Sequence, residues 1–90
     1  MTRVRLHKNK EIGDVGAKAL AEALKVNATV EYLDLIDCGI GDDGAAALAE
    51  ALRSNTSLTE LDLRSNGISW QGKQLLRDAV AGREGFELQL

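Results

Sequence analysis

Proline is absent from the 90 residues, and cysteine, methionine, tryptophan, tyrosine and phenylalanine occur once each. The lone Cys38 excludes an internal disulfide framework and suits a reducing compartment. With only Tyr32, Trp70 and Phe86 as aromatics, the core must be aliphatic, built from the Leu, Ala, Val and Ile that dominate a hydrophobic content of 44%. No uninterrupted apolar run of 18 residues exists, so no transmembrane helix is expected. The opening MTRVRLHKNK lacks the apolar stretch of a secretory signal, which points to a cytoplasmic location. One soluble domain, residues 1–90, is the most that this length allows. A chain of this size buries only about 60–65% of its unfolded surface, so marginal stability is expected.

Acidic residues exceed basic ones, with a net charge of −3, but the surplus is uneven. Residues 1–10 carry Arg3, Arg5, Lys8 and Lys10 and no acid. All fourteen Asp and Glu lie in the other eighty residues, with only seven Lys and Arg. A sequence pI near 5.0, with basic residues clustered only at the start, argues against nucleic-acid binding. The asymmetry is instead a clue to association.

What is abundant is repetition. Ala17-Lys-Ala-Leu-Ala-Glu-Ala-Leu24 recurs 28 residues later as Ala45-Ala-Ala-Leu-Ala-Glu-Ala-Leu52. Leu33-Asp-Leu35 recurs as Leu61-Asp-Leu63 at the same step, as do Ile12, Ile40 and Ile68, and Gly16, Gly44 and Gly72. Asn9, Cys38 and Asn66 are spaced 29 and then 28, so the first unit has one extra loop residue around Lys10-Glu11. Within each unit the hydrophobic period changes. The LxL segment alternates as a strand does, and the AxxLAxxL segment lays its apolar residues on one helical stripe. Strands are predicted near 4–6, 32–35, 60–63 and 87–90, and helices near 14–26, 42–54 and 70–81. Strand, loop, helix and loop in 28 residues make one right-handed βα turn. The fold class is therefore α/β: a superhelical arc with a parallel sheet on its concave side and about three helices outside. The units are placed at about 4–31, 32–59 and 60–86, with a final strand at 87–90.

Small residues have assigned tasks in this scheme. Alanines let neighbouring helices approach, and the three spaced glycines sit where a side chain would crowd the strand loop. Ser69 is expected to cap its helix, with Gly13 and Gly41 capping more weakly and Asp14 and Asp42 favouring the positive helix end. Asn27, Asn55 and Gly82 follow the helices where a left-handed terminating residue is expected.

Leu33-Asp-Leu-Ile-Asp-Cys38-Gly-Ile40 and Leu61-Asp-Leu-Arg-Ser-Asn66-Gly-Ile68 resemble the leucine-rich-repeat signature LxLxxN/CxL. The GDDGAAALAEAL that follows resembles the ribonuclease-inhibitor-like subclass, also found in the repeat domains of NOD-like immune receptors and in the GTPase-activating protein for Ran. The alternation of Asn and Cys is similar too. The likeness covers residues 4–90. It implies a horseshoe segment whose concave sheet face and adjacent loops bind proteins, and it does not imply inhibition of a ribonuclease.

Residues that carry chemistry elsewhere have plainer readings here. Cys38, opposite Asn9 and Asn66, should turn inward and bond the loop backbone. His7 has no companions at metal-ligand spacing and reads as a surface residue beside Ile36 and Arg64. Asp34 and Asp62 should be neighbours on adjacent strands, an exposed charge ladder offset by Arg5 and Arg64. IGDDG lacks a calcium loop's ligand set, and no glycine-rich phosphate loop is present. No metal, cofactor or catalytic activity is expected. Trp70, at a position where the other units have Asp14 and Asp42, either covers the final loop or anchors an interface.

The outward strand positions are Arg3, Arg5 and His7; then Tyr32, Asp34 and Ile36; then Glu60, Asp62 and Arg64; then Glu87 and Gln89. They grade from basic to acidic. Lys73 and Arg77 replace the alanines of the earlier helices, so the array is read as ending at Leu90, whereas no cap precedes Val4. Uncapped strand edges are templates for pairing, so self-association or docking against further repeats is expected. The predicted role is a non-catalytic protein-interaction module with contact residues Arg5, His7, Tyr32, Asp34, Ile36, Glu60, Asp62 and Arg64. The alternative is a regulatory fragment of a larger leucine-rich repeat protein, of immune-receptor or GTPase-activating type.

Overall fold

Alternate residues of a strand point to opposite faces, and in this chain that alternation puts one leucine pair per unit on the inside. Leu33, Leu35, Leu61 and Leu63 are all buried. The computed structural model describes residues 2–90. Its elements follow the sequence as β1 (Thr2–Arg5), α1 (Gly13–Val26), β2 (Val30–Asp34), α2 (Asp42–Ser54), β3 (Glu60–Asp62), α3 (Trp70–Val80) and β4 (Glu87–Gln89). Each helix lies within one residue of its predicted bounds.

The four strands are parallel in the order β1-β2-β3-β4. Joining parallel neighbours through helices makes a right-handed βα superhelix. The helices lie side by side against one face of the sheet, α1 on α2 and α2 on α3. Ala17, Ala21, Ala45 and Ala49 are buried between them, so the helix backbones can come close. Leu24, Leu48, Leu52 and Leu76 fill the layer between helices and sheet.

The helix ends depart from expectation. Asn27 and Asn55 are not left-handed terminators: they have φ −90° and −87° with extended ψ. Each side-chain oxygen instead accepts from backbone N–H groups two and three residues on, at Thr29 and Val30 and at Ser57 and Leu58. An amide of this length satisfies either geometry, and the short route into the next strand selects the extended one. Only Gly82, at φ +84°, ends its helix as predicted. The start of α1 differs too, since Ile12 rather than Gly13 holds the N-cap position.

Candidate functional site

The face of the sheet turned away from the helices is built from three rows of side chains. Register aligns Arg3, Tyr32, Glu60 and Glu87 in one row, and Arg5, Asp34, Asp62 and Gln89 in the next. His7, Ile36 and Arg64 follow at the strand ends. All eight sequence-predicted contact residues thus lie on one surface.

Two of them are not the exposed ladder that was expected. Asp34 and Asp62 are buried, at 6% and 1% exposure. Their carboxylates fold back to accept from the backbone N–H two residues on, Ile36 for Asp34 and Arg64 for Asp62. Asp62 is also held by the Arg64 guanidinium, whose Nε and Nη2 donate to its oxygens at 3.0 and 2.7 Å. That contact raises the Arg64 pKa. Arg5 does not compensate Asp34 as predicted. His7 Nδ1 takes that place, 3.2 Å from Asp34 Oδ2.

The two leading arginines gather instead around Tyr32. The guanidinium carbon of Arg3 stands 4.6 Å from the ring centroid and that of Arg5 5.9 Å, both within cation–π range. Burial, and then the Asp34, Asp62 and Glu60 charges, push the Tyr32 phenol up from its ordinary value. Sequence reasoning puts Arg3 on this face but leaves it out of the contact set; its alternation with Arg5 and His7 is the signal for it. Among the described residues, Arg3 and Arg5 have no carboxylate within ion-pair distance. At the far edge, Gln89 donates to Glu60. The face therefore runs from cations without an acidic partner at β1 to Glu60 and Glu87, acids without a cationic partner, at β3 and β4 among the described residues.

Behind this face, side chains tie each unit to the one before. Cys38 is fully buried, and its thiol donates to Leu6 O at 3.0 Å. Burial raises its pKa, so the sulfur is held as a neutral thiol. Asn66 repeats the contact one unit on, donating to Leu35 O and accepting from Cys38 N and Ile40 N. Asn55 donates to Leu24 O and Asn27 O, and Arg83, at the equivalent place, donates to Leu52 O and Leu58 O.

Asp14 and Asp42 form a third set: each lies in the first turn of its own helix, as expected, and its carboxylate also bonds the start of the following one. Asp14 Oδ1 accepts from Gly41 N and Gly44 N, and Asp42 Oδ1 accepts from Ser69 N. Bonds from Ser69 lower the Asp42 pKa. Asp42 therefore ionises more readily folded than unfolded, and favours folding at neutral pH. Asp42→Asn is expected to lower the melting temperature at pH 7. The deficit should start to shrink near the ordinary carboxylate value of 3.8 and vanish below the lowered folded value. Thermal unfolding of both chains at stepped pH measures this, and a deficit independent of pH would refute it.

Trp70 stands in the place of these acids and is 69% exposed, so it does not cover the final loop. Among the described residues, no group of three His, Cys, Asp or Glu side chains is placed to hold a metal. Nor, among the described residues, is any helix long and apolar enough to cross a membrane.

No curated protein matches the chain in sequence. Among solved structures it is similar to leiomodin-1 actin-binding site 2, with 29% identity, a TM-score of 0.88 and 98% of this chain covered. The chain spans 51% of that one, about half its length. The leucine-rich repeat model matches residues 1–21, 26–49 and 54–72, which hold the leucine pairs and the Asn and Cys positions whose bonding is set out above. By that match and by its repeating architecture, the chain belongs to the leucine-rich repeat family.

Proposed function

We propose that the chain is a non-catalytic protein-interaction module that binds through the open sheet face, with Arg3, Arg5, Tyr32, Ile36, Glu60 and Arg64 making contact. The carrying observation is that face's charge layout, free cations gathered on an aromatic ring at β1 and free acids at the opposite edge. A partner spanning the sheet meets both ends across three strand spacings, roughly 14 Å. Asp34 and Asp62 serve as supports that hold His7 and Arg64 in place. The unit lengths and the Cys38/Asn66 alternation favour the ribonuclease-inhibitor type of repeat.

The likeness to an actin-binding site makes actin the first partner to test. Titration of monomeric actin is expected to give saturable binding. Tyr32→Ala with Arg3→Ala should weaken it at least about tenfold, or about 1.4 kcal/mol, with the unfolding midpoint little changed. Saturable binding that the double variant leaves intact refutes this face, and absence of binding refutes actin. Tyr32 with Asp62 would be a poor pair, because Asp62 also bonds the backbone.

A second reading is head-to-tail self-association. The basic β1 edge and the acidic β4 edge favour it, since they would meet in a continued sheet, while Lys73 and Arg77 on α3 oppose the helix contact that goes with it. Part of a longer regulatory repeat protein is a third, favoured by a match that spans about half of the leiomodin-1 structure.

A further inference from the structure

The two ends of the stack are chemically unlike. The leading face is the side of β1 and α1 turned away from β2 and α2. It presents Gly16, Leu20, Ala23 and Asn27, which repeat as Gly44, Leu48, Ala51 and Asn55. The second set is buried against α1. In the first set, Ala23 and Asn27 are exposed, and Gly16 and Leu20 are half-buried. An apolar cleft of about 100 Å³ opens there, lined by Val4, Leu20, Ala23, Leu24, Val30 and Leu33 beside Asn27. Val15 and Val26, 82% and 87% exposed, extend the apolar surface around the helix.

The trailing face has lost the other half of this fit. The residues that α1 and α2 turn toward the next helix are Asp14, Ala17 and Ala21, then Asp42, Ala45 and Ala49. In α3 these positions hold Trp70, Lys73 and Arg77. The acceptor for the next helix's N–H groups is gone, and two cations stand where alanines permitted close packing. A second copy stacked head to tail would set Lys73 and Arg77 against Leu20 and Ala23, stripping two cations of water opposite apolar side chains.

We propose that the leading face is a docking surface for a further leucine-rich unit, one with a carboxylate in its first helical turn and alanines one and two turns on. The surface continues the interface already present between α1 and α2, and its occupant is a unit like theirs and not another copy's trailing end. Such a unit would close the apolar cleft and give the Asn27 side-chain amide carbonyl acceptors, as Leu24 and Asn27 give Asn55.

The test adds the same helix to either end. A duplicate of residues 30–57 fused ahead of Met1 continues the register at the leading end, and a duplicate of residues 36–63 fused after Leu90 continues it at the trailing end. The leading fusion should raise the melting temperature by about 10 °C or more, and the trailing fusion by less than half as much. Leu20→Lys should abolish the leading gain. Equal gains at both ends, or none at the leading end, overturn the proposal. Sedimentation of the 90-residue chain completes it. A monomer is expected, and concentration-dependent association abolished by Leu20→Lys would place a second copy on this face and overturn the stated occupant.

Discussion

Asn55→Ala is expected to destabilise the fold by roughly 3 kcal/mol, lowering the melting temperature by about 12–24 °C. Asn55 is 4% exposed and bonds in two directions at once. Its nitrogen donates to Leu24 O and Asn27 O at 2.8 and 2.9 Å, across the unit boundary. Its oxygen accepts from Ser57 N and Leu58 N at 3.0 and 2.8 Å, shaping the turn into β3. Alanine leaves those backbone groups unpaired next to the buried Leu58, and each buried group left so costs about 1–3 kcal/mol. A chain of this size has on the order of 5–13 kcal/mol in total, so the loss is a large share. Asn27→Ala is the internal control. It removes the same turn bonds, to Thr29 N and Val30 N, at an exposed site with no unit in front of it among the described residues. Its cost should stay near 1 kcal/mol. Urea unfolding of the two variants measures the difference. Equal losses would mean that the turn, and not the tie between units, is what matters.

This asparagine also marks where sequence reading stopped. Its place after each helix was legible from the 28-residue period, but its conformation was not. Left-handed termination and an extended turn both suit a short amide. Choosing between them requires knowing that two carbonyls of the preceding unit wait within reach of its nitrogen, and the distance in sequence is 28 and 31 residues. Asp14 does lie in the first turn of its own helix, as the sequence implies, but its bonds to the next unit are not legible there for the same reason. A carboxylate in a first helical turn fits its own helix dipole equally well on paper, and only the packing of α1 against α2 directs it to Gly41 N and Gly44 N. Cys38 was read correctly because period alone places it opposite Asn66. On the open face, period two sorted in from out without error, yet it could not weigh burial among the outward residues. Asp34 and Asp62 disappear beneath His7, Arg64 and their own backbone bonds, contacts that depend on how long side chains lean across the sheet.

Gly44→Ala is expected to cost about 2–3 kcal/mol, although alanine in a helix is ordinarily worth up to about 1 kcal/mol more than glycine. A β-carbon there would lie 2.9 Å from Ala17 Cβ, 2.8 Å from Ile40 Cγ2 and 2.8 Å from Asp14 Oδ1. Ala17 Cβ is fixed to the α1 backbone and cannot turn away. Asp14 is already committed to Gly44 N and Gly41 N. Relief therefore means moving α1 off α2. Gly72→Ala meets Asp42 Oδ1 and Ile68 Cγ2, each at 2.7 Å, but both are ends of side chains and Asp42 is exposed. Its cost should be smaller than that of Gly44→Ala, because only the exposed Asp42 and its bonds to Ser69 have to give. At Gly16 a β-carbon meets only Ile12, but at 2.6 Å from Cγ2 and 3.3 Å from Cβ, so that half-buried side chain must turn. Gly16→Ala should then cost the least of the three, because no neighbouring helix has to move, and the order of losses is Gly44, Gly72, Gly16. Thermal unfolding of the three variants fixes it, and a Gly16→Ala loss as large as that of Gly44→Ala would show that the helix start itself demands glycine. If the neighbouring helix sets the demand instead, Gly16→Ala should become costly once a unit is fused ahead of Met1, because that unit supplies the alanine and the carboxylate that α1 now supplies to Gly44.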